Sequence, residues 1–394
     1  MNYNFDKIVD RRQVATVKYG KCADVFGTTD VTPLWVADMD FEVCPAITQA
    51  LIERFEHPVY GYSMTTPEFW QSIIDWEAHR NDFHFTTDDV IYVPGIVRGI
   101  AYAINYFTRP GDKIVIQQPV YHPFRNVSVG NRRMVVSNDL VETPDGFYRM
   151  NLDNLEEIFR TEKPRMMILC NPHNPIGIAW DTDTLAQIAR MAKRHGVIVL
   201  SDEIHSDLVL RGKKHCTFTN SCPEAAEVGI TFGAPSKTFN IAGIVSSWCV
   251  IKNPELRKGF FEWMEGNEFS EPTFMACIAT EAAYKHGEEW LEQAKTYIEG
   301  NIDFVADFCQ KHIPAIKAIK PEASFLMWLD CRALGLDADA LNSLFIHDAH
   351  LGLNRGDMFG AAGAGFMRFN IATQRSVLAD ALQNLAKAIN GLKS

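Results

Sequence analysis

Short apolar runs alternate with longer amphipathic ones through the middle of this chain. The runs that read as strands are Val90–Val93, Lys113–Gln117, Met134–Ser137, Met166–Cys170, Val197–Ser201, Gly229–Phe232 and Ser247–Ile251. Met166-Met-Ile-Leu and Val197-Ile-Val-Leu have no polar face, so both sides of their sheet must be covered. That is the pattern of parallel strands lying between two helical layers. Between the strands the spacing predicts helices over Val97–Phe107, Asn151–Thr161 and Thr182–Lys193, the last capped by Thr182 or Asp183. The alternation runs over residues 45–285 and implies right-handed crossovers within one large α/β domain.

Past residue 285 the period changes. Glu288–His312 reads as a long helix. Lys317–Ile319, the strand-like Ser324–Leu329 and Gly365–Ile371, and a closing helix over Ser376–Lys393 follow it. These predict a smaller α+β domain over residues 286–394. Residues 1–44 carry no βαβ pattern and are expected to join it. A helix running across the boundary is the expected link.

Composition narrows the class. Of 394 residues, 47% are apolar and 22% charged, which is enough for a large core and too apolar for disorder. A net charge of −11, with no basic run, argues against a nucleic-acid surface. No stretch approaches the roughly 18 uncharged apolar residues that would span a bilayer. Met1-Asn-Tyr-Asn-Phe-Asp-Lys7 lacks the apolar core of a signal peptide. Nine cysteines without a Cys-x-x-Cys pair fit reduced, mostly buried thiols and a cytoplasmic location, and argue against a zinc site.

The chemistry gathers where strands end, which is where ligands sit in doubly wound sheets. Lys237 follows the run Val228–Phe232 and stands beside the hydroxyl of Ser236 in Ala234-Pro-Ser-Lys-Thr-Phe-Asn-Ile-Ala-Gly243. A lysine that bonds covalently to a phosphorylated aldehyde cofactor needs such a fixed backbone with a phosphate ligand nearby. Alone, the tripeptide Ser-Lys-Thr reads better as surface; the partners that follow are what favour a catalytic role. Asp202 closes a strand and could pair with a protonated ring nitrogen; a helix cap or salt bridge is its other reading. Asn174, in Asn171-Pro-His-Asn-Pro-Ile-Gly177, offers an amide donor on a turn stiffened by prolines, or is a plain turn residue. Tyr121 could stack on a ring or serve in the core. Pro94-Gly-Ile-Val97 joins a strand to a helix, so the N–H groups of Gly95, Ile96 and Val97 suit a phosphate. Arg368 lies in an apolar strand and needs an anion, either a bound carboxylate or an internal partner. Asp202-Glu-Ile-His-Ser-Asp207 resembles a metal cluster in composition. Alternation along an extended chain would set Asp202 and His205 on opposite faces, which disfavours that reading, and His205 is read as a supporting residue. Gly360-Ala-Ala-Gly-Ala-Gly365 precedes a strand, so it is read as a flexible loop and not a phosphate cradle.

These residues carry a resemblance. Over essentially its whole length the chain resembles the fold-type I pyridoxal 5'-phosphate (PLP) enzymes of the aminotransferase class I/II superfamily. More narrowly it is similar to the carbon–sulfur lyases of the MalY/PatB type, which include cystathionine β-lyases. The motifs are Trp35-Val-Ala-Asp-Met-Asp-Phe41, Tyr60-Gly-Tyr62, Pro119-Val-Tyr-His-Pro-Phe124, Asn171–Gly177, Ser201–Asp207 and Ser236–Gly243. The first of these most favours the lyases over ordinary aminotransferases.

The resemblance implies an α/β PLP-dependent transferase fold, with a mostly parallel seven-stranded sheet in the large domain beside the smaller α+β one. It makes Lys237 the Schiff-base lysine, Asp202 the ring-nitrogen partner, Asn174 the ring-oxygen ligand and Tyr121 the stacking ring. It adds His205 to the cofactor's surroundings and Arg368 as the substrate carboxylate's partner. Ala37 would line the substrate side. Tyr62 would reach the phosphate of a neighbouring subunit, with Tyr60 its rival, which implies a homodimer with shared active sites. The activity implied is β-elimination from cystathionine or a related cysteine conjugate, with amino-acid transamination as the alternative. The chain departs from the usual pattern at Ala234-Pro-Ser-Lys237, Ala323 and Met367-Arg-Phe369. These positions surround the pocket, so they bear on substrate choice more than on the cofactor.

Overall fold

Residues 2–144 and 146–392 are described by the computed structural model of the chain. Seven strands make the main sheet: β1 (Val90–Val93), β2 (Lys113–Ile116), β3 (Met134–Ser137), β4 (Met166–Cys170), β5 (Ile198–Asp202), β6 (Gly229–Gly233) and β7 (Ser247–Val250). Their order across the sheet is β1-β7-β6-β5-β4-β2-β3. Six run the same way, and β7 is antiparallel to both its neighbours. β4 and β6 are buried along their whole length, as apolar runs covered on both faces must be.

The covering helices include α1 (Pro67–Asn81), α2 (Ile96–Phe107), α3 (Leu152–Glu162) and α4 (Thr182–His195). Asn151 caps α3 by accepting from the N–H of Asn154. The cap of α4 is Asp181, whose carboxylate accepts from the N–H of Thr184 at 2.7 Å. Thr182 and Asp183 therefore lie inside the first turn, because a cap must stand in extended backbone ahead of it. The very short α5 (Pro235–Thr238) follows β6 and carries Lys237. Gly287 separates α6 (Phe274–His286) from α7 (Glu288–His312), so two helices stand at the expected link.

A second, antiparallel sheet has the order β8-β9-β11-β10, with β8 (Lys317–Ile319), β9 (Leu326–Asp330), β10 (Asn354–Arg355) and β11 (Phe366–Asn370). β9 starts at Leu326, two residues later than the sequence reading, because Ser324 turns the chain at φ +73° and Ala323 bridges to Val209. The closing helix α8 (Arg375–Gly391) completes the described chain; Lys393, its expected end, lies outside the described residues. The amino-terminal segment pairs with this part of the molecule: Thr32–Pro33 runs parallel to Leu351–Gly352, and Asn370 donates to the carbonyls of Val36 and Asp38.

The glycine-rich stretch 360–365 is not an open loop. It forms tight turns in which Gly360, at φ +129°, leaves no room for a Cβ beside Gln118, and Gly363 abuts Gly356. Only glycine tolerates both the angle and the approach. All nine cysteines are free thiols, seven of them buried. Among the described residues, no helix is long and apolar enough to cross a membrane.

Candidate active site

The carboxyl ends of β2, β4, β5 and β6 open onto one cavity, with the start of α2 on its far wall. Ala37, Gly95, Ile96, Val97, Tyr121, Asn174, Asp202, His205, Ser236 and Lys237 all line it. Of the residues singled out from sequence, Arg368 lies just behind Asn174 and Tyr62 stands apart. Tyr62 is fully exposed, whereas Tyr60 stacks on Phe274 and donates its hydroxyl to the carbonyl of Phe55.

Asp202 and His205 share this cavity, contrary to the opposite-faces expectation. The strand stops at Asp202, and the chain then turns, with the N–H of Ser206 donating to the carbonyl of Glu203. Strand alternation therefore does not extend to residue 205.

Lys237 is partly buried and donates from Nζ to the carbonyl of Ala37. Desolvation lowers its pKa to about 8; the carboxylates of Asp38 and Asp202 oppose that shift, and the charge of Arg368 adds to it. Asp202 is buried, and its pKa is raised to about 7, chiefly by desolvation, although the N–H of Ile204 donates to it at 3.2 Å. Desolvation, with the charges of Lys237 and Arg368, takes His205 down to about 3, so its ring is neutral, and its Nδ1 has no partner among the described residues.

Arg368 is buried in β11. Its guanidinium donates to Asn174 Oδ1 at 3.1 Å, the carbonyl of Trp35 at 2.8 Å and Asn354 Oδ1 at 2.6 Å. Every one of these acceptors is neutral, Nε has no partner among the described residues, and desolvation lowers the pKa to about 10. Among the described residues the internal-salt-bridge reading therefore has no carboxylate to rest on. The same contact turns Asn174 Oδ1 toward Arg368 and leaves its amide Nδ2 as the donor. On the opposite wall Gly95 stands at φ +104° ahead of α2, and contrary to the sequence expectation its own N–H donates to the carbonyl of Val93 at 2.9 Å, so the donors open at the start of the helix are those of Ile96 and Val97.

Sequence reading missed part of this wall. Cys170, Ile204, Ala242, Val245, Ser246 and Ser247 also line the cavity. Val245 sits at φ +58°, a strained position for a β-branched residue, and its carbonyl accepts from the Tyr92 hydroxyl at 2.7 Å. It also missed an ion cluster beside Ala37. Arg11 grips Asp38 and Asp40, each at 2.7 Å, and the fully buried Lys18 reaches Asp40 at 2.8 Å. Two acids in Trp35–Phe41, read with two cations upstream, were the available signal.

The family model for aminotransferase class I and II matches residues 29–385. The chain belongs to that family. Among its members, cystathionine beta-lyase PatB of Bacillus subtilis is 38% identical over 98% of this chain and all of its own length. The solved structure of cystalysin from Treponema denticola, which contains pyridoxal 5'-phosphate, is 34% identical, covers both chains fully and superposes with a TM-score of 0.95. A PLP-bound carbon–sulfur lyase from Staphylococcus hominis is 31% identical over 99% of this chain and 98% of its own, with a TM-score of 0.92. The cavity occupies the carboxyl edge of the sheet, the ligand-binding edge of doubly wound folds; it holds the amine of Lys237 and the carboxyl of Asp202, with the guanidinium of Arg368 behind its Asn174 wall.

Proposed function

We propose that this chain is a PLP-dependent carbon–sulfur β-lyase that converts cystathionine or a related cysteine S-conjugate to pyruvate, ammonia and a thiol. The observation that carries the reading is Arg368: a buried guanidinium facing neutral acceptors only, at the edge of a cavity that holds a lysine. Burying that charge is costly until an anion arrives, and the α-carboxylate of an amino acid is the anion that fits a planar two-pronged donor. The similarity to proteins named as carbon–sulfur lyases selects β-elimination over transamination.

The residues fit the cofactor. Asp202 is a buried carboxyl with no cation bonded to it, suited to a protonated pyridine nitrogen. The N–H groups of Ile96 and Val97, with the Ser236 hydroxyl, would hold the phosphate, while Gly95, whose N–H is taken by the Val93 carbonyl, would border it. Asn174 Nδ2 would donate to the ring oxygen, Tyr121 would cover the ring face, and the neutral His205 would pack behind Asp202. When bound, PLP withdraws electrons from the substrate's α-carbon. Arg368 fixes the substrate by its carboxylate, and Ala37 bounds the substrate side. Lys237 would hold the cofactor's aldehyde between turnovers. Freed by the substrate amine, it would take the α-proton, and burial, which lowers its pKa to about 8, favours the neutral amine that this role needs. The electron pair freed at the α-carbon would then expel the β-thiolate, and water would convert the remaining three-carbon unit to pyruvate and ammonia.

The working unit in this reading is a homodimer of cytoplasmic subunits. Tyr62 is fully exposed beside the exposed apolar side chains of Val59 and Met64, which suits a residue that completes a neighbour's phosphate site. Residues 45–285 would act as the cofactor domain, with 1–44 and 286–394 as the small domain. The test is product analysis with L-cystathionine and no keto acid. Many equivalents of pyruvate and homocysteine per chain support the lyase. A single turnover, restarted only by added keto acid, would make the chain an aminotransferase.

A further inference from the structure

Lys237 sits in a helix of four residues, too short to hold its own orientation. Two side chains clamp it. Thr238 donates its hydroxyl to the buried Asp207 at 2.9 Å, tying the turn toward α1, whose Trp76 ring N–H also reaches that carboxylate. On the other side stands Asn240, at φ +59°, a conformation that asparagine tolerates and most residues do not.

Asn240 spends its whole side chain on the amino-terminal segment. Its Oδ1 accepts from the N–H of Met39 at 2.9 Å, and its Nδ2 donates to the carbonyls of Met39 at 3.1 Å and Phe41 at 2.9 Å. It thus satisfies backbone groups of an irregular segment that has no strand partner there. Ala37, two residues before Met39, supplies the carbonyl that receives the Lys237 amine. The loop that carries the lysine therefore also carries the residue that sets the register of the segment the lysine touches.

We propose that Asn240 is a positioning residue, which registers residues 37–41 against the Lys237 turn and so aims the amine into the cavity. The inference rests on the reading of Lys237 as the amine that holds the cofactor and moves the proton. It predicts that cutting this link lowers turnover while leaving substrate affinity and fold in place.

The experiment compares wild type with Asn240→Gly, which keeps the positive φ and removes the clamp. Asn240→Asp keeps the acceptor for Met39 and loses both donors. Thr238→Val loosens the same turn without touching residues 37–41. Two readouts are taken: amide hydrogen exchange at Met39 in the cofactor-free chain, and kcat against KM for β-elimination. For Asn240→Gly, Met39 exchange should quicken about tenfold or more, with kcat down about 100-fold, the cost of misplacing a group by about 1 Å, and KM within about threefold. Thr238→Val should leave Met39 protected. If Asn240→Gly fails to fold, Asn240→Asp, which still accepts from the Met39 N–H but loses both donor bonds, is read by kcat against KM alone, with the same fall in kcat expected and an intact kcat overturning the inference. The inference is overturned if Met39 exchange is unchanged, if it quickens with kcat intact, or if Thr238→Val reproduces the full pattern. Borohydride treatment of wild type with PLP separates the two layers. Failure to fix the cofactor on Lys237 overturns the functional reading and this inference together. Successful fixation together with wild-type Met39 exchange or wild-type kcat in Asn240→Gly overturns the inference alone.

Discussion

Replacing Asp202 by asparagine should make the cofactor-free chain more stable above neutral pH. The Asp202 carboxyl is 4% exposed, and desolvation raises its pKa from 3.8 to about 7 against the pull of the Ile204 N–H and the Lys237 amine. The unfolded chain releases this proton near 3.8 and the folded chain near 7. Between those values the folded state binds more protons, so stability falls as pH rises. The favourable contribution is full below 3.8 and lost once pH has passed through about 7. A gap of about three, at about 1.4 kcal/mol per pKa unit, sets a ceiling of about 4 kcal/mol at pH 8. Asparagine has nearly the same shape, keeps an acceptor for Ile204 and never ionises. Urea unfolding at pH 8 should show Asp202→Asn more stable by about 2–4 kcal/mol, with the gain less than half as large at pH 5. Saturating PLP should reverse the order, because the wild-type carboxylate then gains a cation and the amide does not. A variant that is less stable than wild type at pH 8 without cofactor, or whose gain does not shrink toward pH 5, would refute the reasoning.

Other outcomes follow from the same geometry. Lys237→Ala should abolish turnover and the visible absorbance of the cofactor-loaded chain, read by spectrophotometry. Arg368→Lys should lower kcat/KM by about 100-fold with unchanged circular dichroism, since a point charge cannot keep three planar contacts and also grip a carboxylate. Gly177→Ala should lower Tm: at φ +79° its Cβ would fall 2.3 Å from Pro321 Cβ and 2.8 Å from the carbonyl of Ala323, a cost of about 2 kcal/mol or more. Tyr62→Ala and Lys237→Ala, each impaired alone, should regain about a quarter of wild-type activity when unfolded and refolded together, because half the dimers are mixed and one of their two sites is whole. No recovery would exclude sites shared across the dimer.

What could be read in the sequence, and what could not, divides by the range of the interaction responsible. β4, β5 and β6 are legible because runs such as Met166-Met-Ile-Leu have nowhere to go but the middle of a covered sheet. Once those strands are placed, Asn174, Asp202 and Lys237 must converge, since each follows a strand end on the same edge. The errors arise where a local rule meets a nonlocal constraint. Alternation separated Asp202 from His205 because nothing local marks Asp202 as the last strand residue; the ladder with β4 and β6 does so, pairing Asp202 with Cys170 and Phe232. The glycines at 360 and 363 resemble slack and are in fact close approaches, a distinction made by Gln118 and Gly356, of which the first is far away in sequence. Asn240 lay inside the most informative motif of the chain, yet its role depends on Met39 and Phe41, about 200 residues earlier. Tyr62 is the limiting case: it is fully exposed in this chain, and the role proposed for it would need a second copy. The chemistry-bearing atoms are therefore the more legible part of this site, and the framework that aims them, built from long-range contacts, is where substitutions that look conservative in sequence should prove most damaging.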